Sequence, residues 1–78
     1  MREYIVTFHT HLSAIKTSKA LSNLNPIIAP VPRKISSSCG SCLRINCDQL
    51  DFKKLDRDAH KVFLINGEEY KLVWLGEE

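Results

Sequence analysis

Three stretches of this chain place apolar side chains at every second position, and that spacing commits much of it to a β-sheet. A strand turns successive side chains to opposite faces, so period-two alternation marks a ribbon with one face on a core. In Glu3-Tyr4-Ile5-Val6-Thr7-Phe8, the side chains of Tyr4, Val6 and Phe8 fall on one side and Ile5 and Thr7 on the other. From Cys42 to Asn46, Leu43 and Ile45 point inward and Arg44 outward. Near the end, Tyr70, Leu72 and Trp74 alternate with Lys71 and Val73. A further short apolar run, Ile27 to Val31, carries Pro30 and is followed by Pro32. Proline has no N–H for a sheet ladder, which confines that strand to an edge.

Between these strands the pattern changes. Thr10 is placed to cap a helix that uses Leu12, Ile15, Ala20 and Leu21 and ends near Asn23, before Pro26. From Asp51 to Ile65, Phe52, Leu55, Ala59, Val62 and Phe63 recur at spacings that suit a second amphipathic helix, with Asp51 at its N-terminus and Asn66-Gly67 as its C-terminal cap. The alternative makes Val62 to Ile65 a strand and Asn66-Gly67 the turn of a hairpin into Tyr70 to Leu75. The helix is the preferred reading, because the apolar spacing runs on from Phe52 without a breaker.

The predicted order is strand, helix, strand, strand, helix, strand. It implies an α+β, ferredoxin-like βαββαβ sandwich, with a four-stranded antiparallel sheet in the order four, one, three, two and two helices on one face. A chain of 78 residues holds one such core and no second, so residues 1–78 are read as a single domain. In that topology His9, Thr10, His11, the 33–41 loop and Asn66-Gly67 meet at one end of the sheet.

Composition narrows the partners. A formal charge of +2 is too small for a nucleic-acid surface, which needs a clustered basic face. No stretch approaches the roughly 20 apolar residues that span a bilayer. The opening Met1-Arg2-Glu3-Tyr4-Ile5 lacks the order of a secretory signal, and a cytoplasmic location is expected. Three cysteines is an odd number; in a reducing compartment thiols serve reactivity, metal ligation or packing more often than a disulfide framework.

The thiol that stands out is Cys39, in the loop Arg33-Lys34-Ile35-Ser36-Ser37-Ser38-Cys39-Gly40. Serine and glycine let successive backbone N–H groups turn toward one point and form an anion-binding concavity, suited to a thiolate, a persulfide or a small oxyanion. The positive end of the first helix, with His9 and His11 nearby, would acidify Cys39 from about 8.5 toward neutrality. Arg33 adds positive charge. The plainer alternative is a serine-rich hairpin loop with an incidental cysteine, His9 and His11 being solvated residues at a helix start. His60, on the predicted second helix, reads as surface. Cys39-Gly40-Ser41-Cys42 has Cys-x-x-Cys spacing, but its second cysteine opens a strand, unlike redox motifs at a helix N-terminus. Cys42 and Cys47 should point to opposite faces, which disfavours a zinc site with Cys39 and a histidine; Cys47 reads as a core or strand-end thiol.

The run from Pro32 through Gly40, followed by Cys42-Leu43-Arg44 and preceded by Tyr4-Ile5-Val6-Thr7-Phe8-His9, resembles the selenium/sulfur carrier-like family over nearly the whole chain. That family was long catalogued as a domain of unknown function, and similar domains occur joined to sulfurtransferase-like domains in proteins linked to selenium metabolism. The resemblance implies a ferredoxin-like domain with Cys39 as the carrier thiol and Arg33, Ser36, Ser37, Ser38 and Gly40 as its setting. It implies a carrier rather than a turnover enzyme, without metal or cofactor, served by a cysteine desulfurase or a sulfurtransferase-like protein. The Cys-Pro-x-Pro motif of other sulfur-relay carriers is absent, since no cysteine precedes Pro30-Val31-Pro32. The apolar tail from Val62 to Leu75 points to a homo-oligomer contact on the open sheet face around Ile5, Val73 and Leu75. The competing function is a small non-enzymatic binding or regulatory module that uses the serine-rich loop and that face.

Overall fold

In the computed structural model, which describes residues 2–33, 35, 41–55 and 59–76, the first alternating stretch becomes the middle of the sheet. Strand β1 (Arg2–Phe8) is flanked by β3 (Ser41–Cys47) and β4 (Ala59–Asn66), with β2 (Ile27–Pro30) and β5 (Glu69–Leu75) on the outside. The order is β2-β3-β1-β4-β5, and every neighbouring pair is antiparallel. The proline-bearing strand is an edge, as the missing N–H of Pro30 requires.

The helix α1 (His11–Ala20) packs on β1, β2 and β3. Thr10 caps it as expected: its backbone is extended and its Oγ1 accepts the Ser13 N–H at 3.3 Å. The face it buries is only in part the one expected: Leu21 is buried, Ile15 is half-buried, and Leu12 and Ala20 are exposed. Leu12 is 59% exposed, and the residues turned to the sheet are Ser13, Ala14, Thr17 and Leu21. Three of these, Ser13, Ala14 and Thr17, are small residues that a search for large apolar side chains misses. A 3-10 turn, Ser22–Leu24, and Asn25 at φ 51° then lead into Pro26.

The second predicted helix does not exist among the described residues. Asp51 does cap a turn, its carboxylate accepting the Lys53 N–H at 3.0 Å, but that turn is the 3-10 segment Phe52–Lys54. The chain from Ala59 onward is β4. Val62-Phe63-Leu64-Ile65 explains the outcome: on a helix four consecutive apolar residues would spread over most of the circumference, whereas a strand sends two to each face. Among the described residues the sheet therefore has five strands rather than four, with one α-helix rather than two. β4 takes the place beside β1 predicted for the last strand, and the last strand moves to the outer edge. The fold is an α+β sheet with one helix, without the second crossover of a ferredoxin-like sandwich.

The core lies between this sheet and α1. It includes Tyr4, Val6 and Phe8 of β1, Leu43, Ile45 and Cys47 of β3, Ala59 and Val62 of β4, Ala14 and Leu21 of the helix region, and Leu50. Over the β4–β5 half of that face, Phe52 stacks on Trp74 with ring centroids 6.0 Å apart.

The hairpin reading is the one the structure supports, shifted by one residue. Asn66 pairs with Glu69, so the two-residue loop is Gly67-Glu68, with Gly67 at φ 63°. A positive φ at the first loop position is what glycine supplies in hairpin turns. A Cβ there would meet no atom within 4 Å, so Gly67→Ala tests backbone strain alone. It is expected to cost about 1–2 kcal/mol. In urea melts this appears as a lower midpoint with an unchanged slope; an unmoved midpoint would contradict the assigned turn.

Candidate functional site

The chemistry-bearing residues gather where β1 ends, α1 begins and β3 enters the sheet. Thr10 fixes the first turn of α1, its Oγ1 also lying 2.9 Å from Ser13 Oγ. That places His11, the first helical residue, with its Nδ1 2.8 Å from Ser41 Oγ. Ser41 opens β3, is paired with Pro30 of β2, and follows Cys39 by two residues in sequence. The N-terminus of α1 is thus tied to the strand that leaves the serine-rich loop. The expected proximity of Thr10, His11 and the loop's exit holds for the described residues.

Beside them, the rings of His9 and His60 lie 4.5 Å apart at centroids and tilted by 31°. His60 is therefore no surface residue of a helix. It sits in β4, its carbonyl accepts the Gly76 N–H at 2.7 Å, and it supplies a third histidine to this end of the sheet. A bulge between Thr7 and Phe8 sets it there, held by Thr7 Oγ1, which accepts the Lys61 N–H at 3.1 Å and donates to the Lys61 carbonyl at 3.3 Å. The rival hairpin reading began its strand at Val62 and did not reach His60, so no signal weighed in the sequence placed this histidine beside His9.

Asn66-Gly67, expected at this same end, lies at the other. The antiparallel register sets Phe8 against Ala59 and Glu3 against Ile65, so the β4–β5 turn falls beyond the start of β1. Arg33 is exposed in a turn after Pro32, whose carbonyl accepts the Ile35 N–H at 3.0 Å. Cys39, with Ser36, Ser37, Ser38 and Gly40, lies outside the described residues.

The other two cysteines are free thiols enclosed in the protein. As their spacing predicts, they take opposite faces of β3: Cys47 joins the core, while Cys42 is wholly buried on the other side and donates to the Pro30 carbonyl at 3.6 Å. Burial pushes the Cys42 thiol above its ordinary 9.0, opposed by the nearby Arg44 charge. Cys47 is also raised, by burial first and then by Asp48, against a hydrogen bond from the Gln49 backbone. Both groups hold their protons more tightly folded than unfolded. Their contribution is therefore full below about pH 9 and is lost as pH rises through the folded values. The alkaline fall in stability should be shallower in a Cys42→Ala/Cys47→Ala double variant than in the unaltered chain, as measured by urea melts at increasing pH. Equal slopes would show that neither thiol is shielded.

Among the described residues, no group of three His, Cys, Asp or Glu side chains is arranged to hold a metal ion. No helix among them is long and apolar enough to cross a membrane. An open groove of about 620 Å³, lined in part by Arg2, Tyr4, Asp48, Phe52, Leu64 and Val73, lies at the far end of the sheet from Ser41. It occupies the side on which a second helix was expected. It also shows Val73 on the core side rather than on the open face, where the sequence had suggested an oligomer contact.

Residues 3–55 match the model of a protein family described as "Putative Se/S carrier protein-like". The match covers more than half of the chain, and it spans β1, α1, β2, the serine-rich loop and β3. No curated protein and no solved structure matches the chain.

Proposed function

This chain belongs to the Se/S carrier protein-like family, and from that premise we propose that it carries sulfur or selenium on the thiol of Cys39. The observation that supports this choice of residue is the enclosure of the other two cysteines. Cys42 is 0% exposed and Cys47 is 7% exposed, and burial disfavours the thiolate at both. A carried chalcogen atom must be accepted from one protein and offered to another, so a thiol sealed in a sheet cannot serve.

Loading is a simple exchange. The Cys39 thiolate attacks the outer sulfur of a donor persulfide, R–S–SH. The donor S–S bond breaks, its electron pair leaves on the donor sulfur as R–S⁻, and Cys39–S–SH is formed without net oxidation. A perselenide forms in the same way. In this reading positive charge from the N-terminal end of α1 and from Arg33 favours the thiolate, with His9 and His11 near the loop's exit, and the serine and glycine residues beside Cys39 in sequence, Ser36, Ser37, Ser38 and Gly40, are of the types that suit an anion-binding loop. The donor is a cysteine desulfurase or a sulfurtransferase-like protein.

The test is incubation with a cysteine desulfurase and free cysteine in the absence of reductant, followed by intact mass and peptide mapping. One added sulfur on Cys39 is expected. An unmodified mass, or sulfur found on Cys42 or Cys47, overturns the reading.

A further inference from the structure

All three histidines of the chain stand where β1 ends, and two of them lie against each other rather than against the protein around them. His11 directs Nδ1 to Ser41 Oγ. Among the described residues, no hydrogen bond or ion pair engages the ring of His9 or His60; each has the other ring, 4.5 Å away between centroids. The backbone brings them together. Pairing of β1 with β4 passes from Thr7–Lys61 to Phe8–Ala59, which leaves His60 as the extra residue of the bulge. A bulge re-aims a side chain at the expense of the regular ladder, and such irregularities gather beside functional sites. This one is fixed on both sides: Thr7 Oγ1 bonds to the Lys61 N–H and carbonyl, and the His60 carbonyl accepts the Gly76 N–H at 2.7 Å. His9 is exposed and His60 half-buried, so the paired rings are open to solvent.

We propose that His9 and His60 together bind a divalent transition-metal ion that takes its ligands at right angles, of the nickel(II) and copper(II) type. Imidazole is a common ligand of such ions, bound through a neutral ring nitrogen. A metal–nitrogen bond of about 2.1 Å, with the ring's own radius of about 1.1 Å, sets each ring centre about 3.2 Å from the ion. Two such rings at a right angle stand about 4.5 Å apart, and at the tetrahedral angle of zinc about 5.2 Å. The observed 4.5 Å is the right-angle separation. Neither backbone has to move, because the histidine χ2 torsion is broad and turns a nitrogen toward the shared point at little cost. The 31° tilt is compatible, since each ring can turn about its own metal–nitrogen bond. Two imidazoles are fewer than the four ligands of a structural zinc centre, so the remaining positions fall to water and the ion exchanges readily. The proposal requires neither Cys39 nor the transfer of a chalcogen, and it is independent of the carrier reading.

The test is a calorimetric titration of the whole chain, free of any histidine tag, with Ni²⁺ alone. One ion per chain is expected. His9→Gln and His60→Gln should each weaken binding by about tenfold or more, since each removes one of the two bonds that the protein makes. His11→Gln should bind as the unaltered chain does, because its ring already serves Ser41. Cys39→Ser should do the same, and in that variant Zn²⁺ should bind less tightly than Ni²⁺. Should His60→Gln fail to fold, His9→Gln decides, because its side chain is exposed. No binding to the unaltered chain overturns the proposal, as does full-strength binding to folded His9→Gln. Loss of binding in His11→Gln or Cys39→Ser overturns it as well, since a ligand outside the pair would then hold the ion. Tighter binding of Zn²⁺ than of Ni²⁺ in Cys39→Ser overturns the right-angle geometry.

Discussion

Cys39→Ser should abolish sulfur loading completely, whereas Cys42→Ala and Cys47→Ala should each load one sulfur as the unaltered chain does. The asymmetry follows from where β3 puts its thiols. Cys42 lies on the face opposite α1 with its Sγ–H directed to the Pro30 carbonyl, and Cys47 closes the same strand within the core. Attack on a donor persulfide requires a thiolate that meets the donor sulfur in line, and a raised thiol pKa together with burial works against both conditions. Serine at position 39 keeps the size and polarity of the side chain and deletes only the nucleophile. Loss of loading is then a chemical result, provided that circular dichroism matches the parent. Retention of a labile sulfur in Cys39→Ser would show that another thiol is the acceptor. Loss of loading in folded Cys42→Ala would instead give that cysteine a part in the transfer. Incubation with a cysteine desulfurase and intact mass on the three variants side by side separates these outcomes.

The parts of this architecture that were legible in the sequence are those where one physical signal acts alone. Alternation identified β1 and β3 because each has one face on the core; it also marked β5, but the bulge between Val62 and Phe63 puts Tyr70 and Leu72 on the open face and Trp74 on the core side. Pro30 marked an edge because its nitrogen cannot donate. Thr10 was a recognisable cap because a hydroxyl before a helix has one favourable use. Where two signals compete, the reading failed. From Asp51 to Ile65 the apolar spacing is helical, but Val62-Phe63-Leu64-Ile65 holds two β-branched residues and an aromatic one in four and is extended in the sheet. Choosing the helix removed β4, and with it the partnership of His60 and His9 and the true position of the β4–β5 turn. One wrong element thus displaced several site expectations at once.

The meeting of the start of α1 with the start of β3 was legible for a different reason. His9, Thr10 and His11 lie at the crossover between β1 and α1, and the serine-rich loop joins β2 to β3. An antiparallel β2–β3 pair beside β1 brings those two connections to the same end whatever follows in the chain. The error after residue 51 therefore did not reach the His11–Ser41 contact. It did reach the open face. Val73 lies beyond the bulge between Val62 and Phe63, which turns it to the core side, and the apolar row passes instead through Phe63 and Leu72.

Leu43→Ala should be the most destabilising single truncation considered, and its size follows from its place. Leu43 is wholly buried in β3, opposite Ile28 on one side and Val6 on the other, on the face that α1 covers. Truncating a leucine in such a site costs about 2–5 kcal/mol, because the cavity collapses only in part. A chain of this length has roughly 4–12 kcal/mol of stability in all. At about 4–8 °C per kcal/mol, the thermal midpoint should fall by some 10 °C or more. A fall of only a few degrees would place Leu43 outside the core. The effect should not depend on protein concentration, since every neighbour of this side chain belongs to its own chain. Leu75→Lys is the counterpart: its side chain is 62% exposed, so it removes little from the core. Thermal melts of both variants side by side check the contrast: Leu43→Ala should lower the midpoint steeply, and Leu75→Lys only slightly.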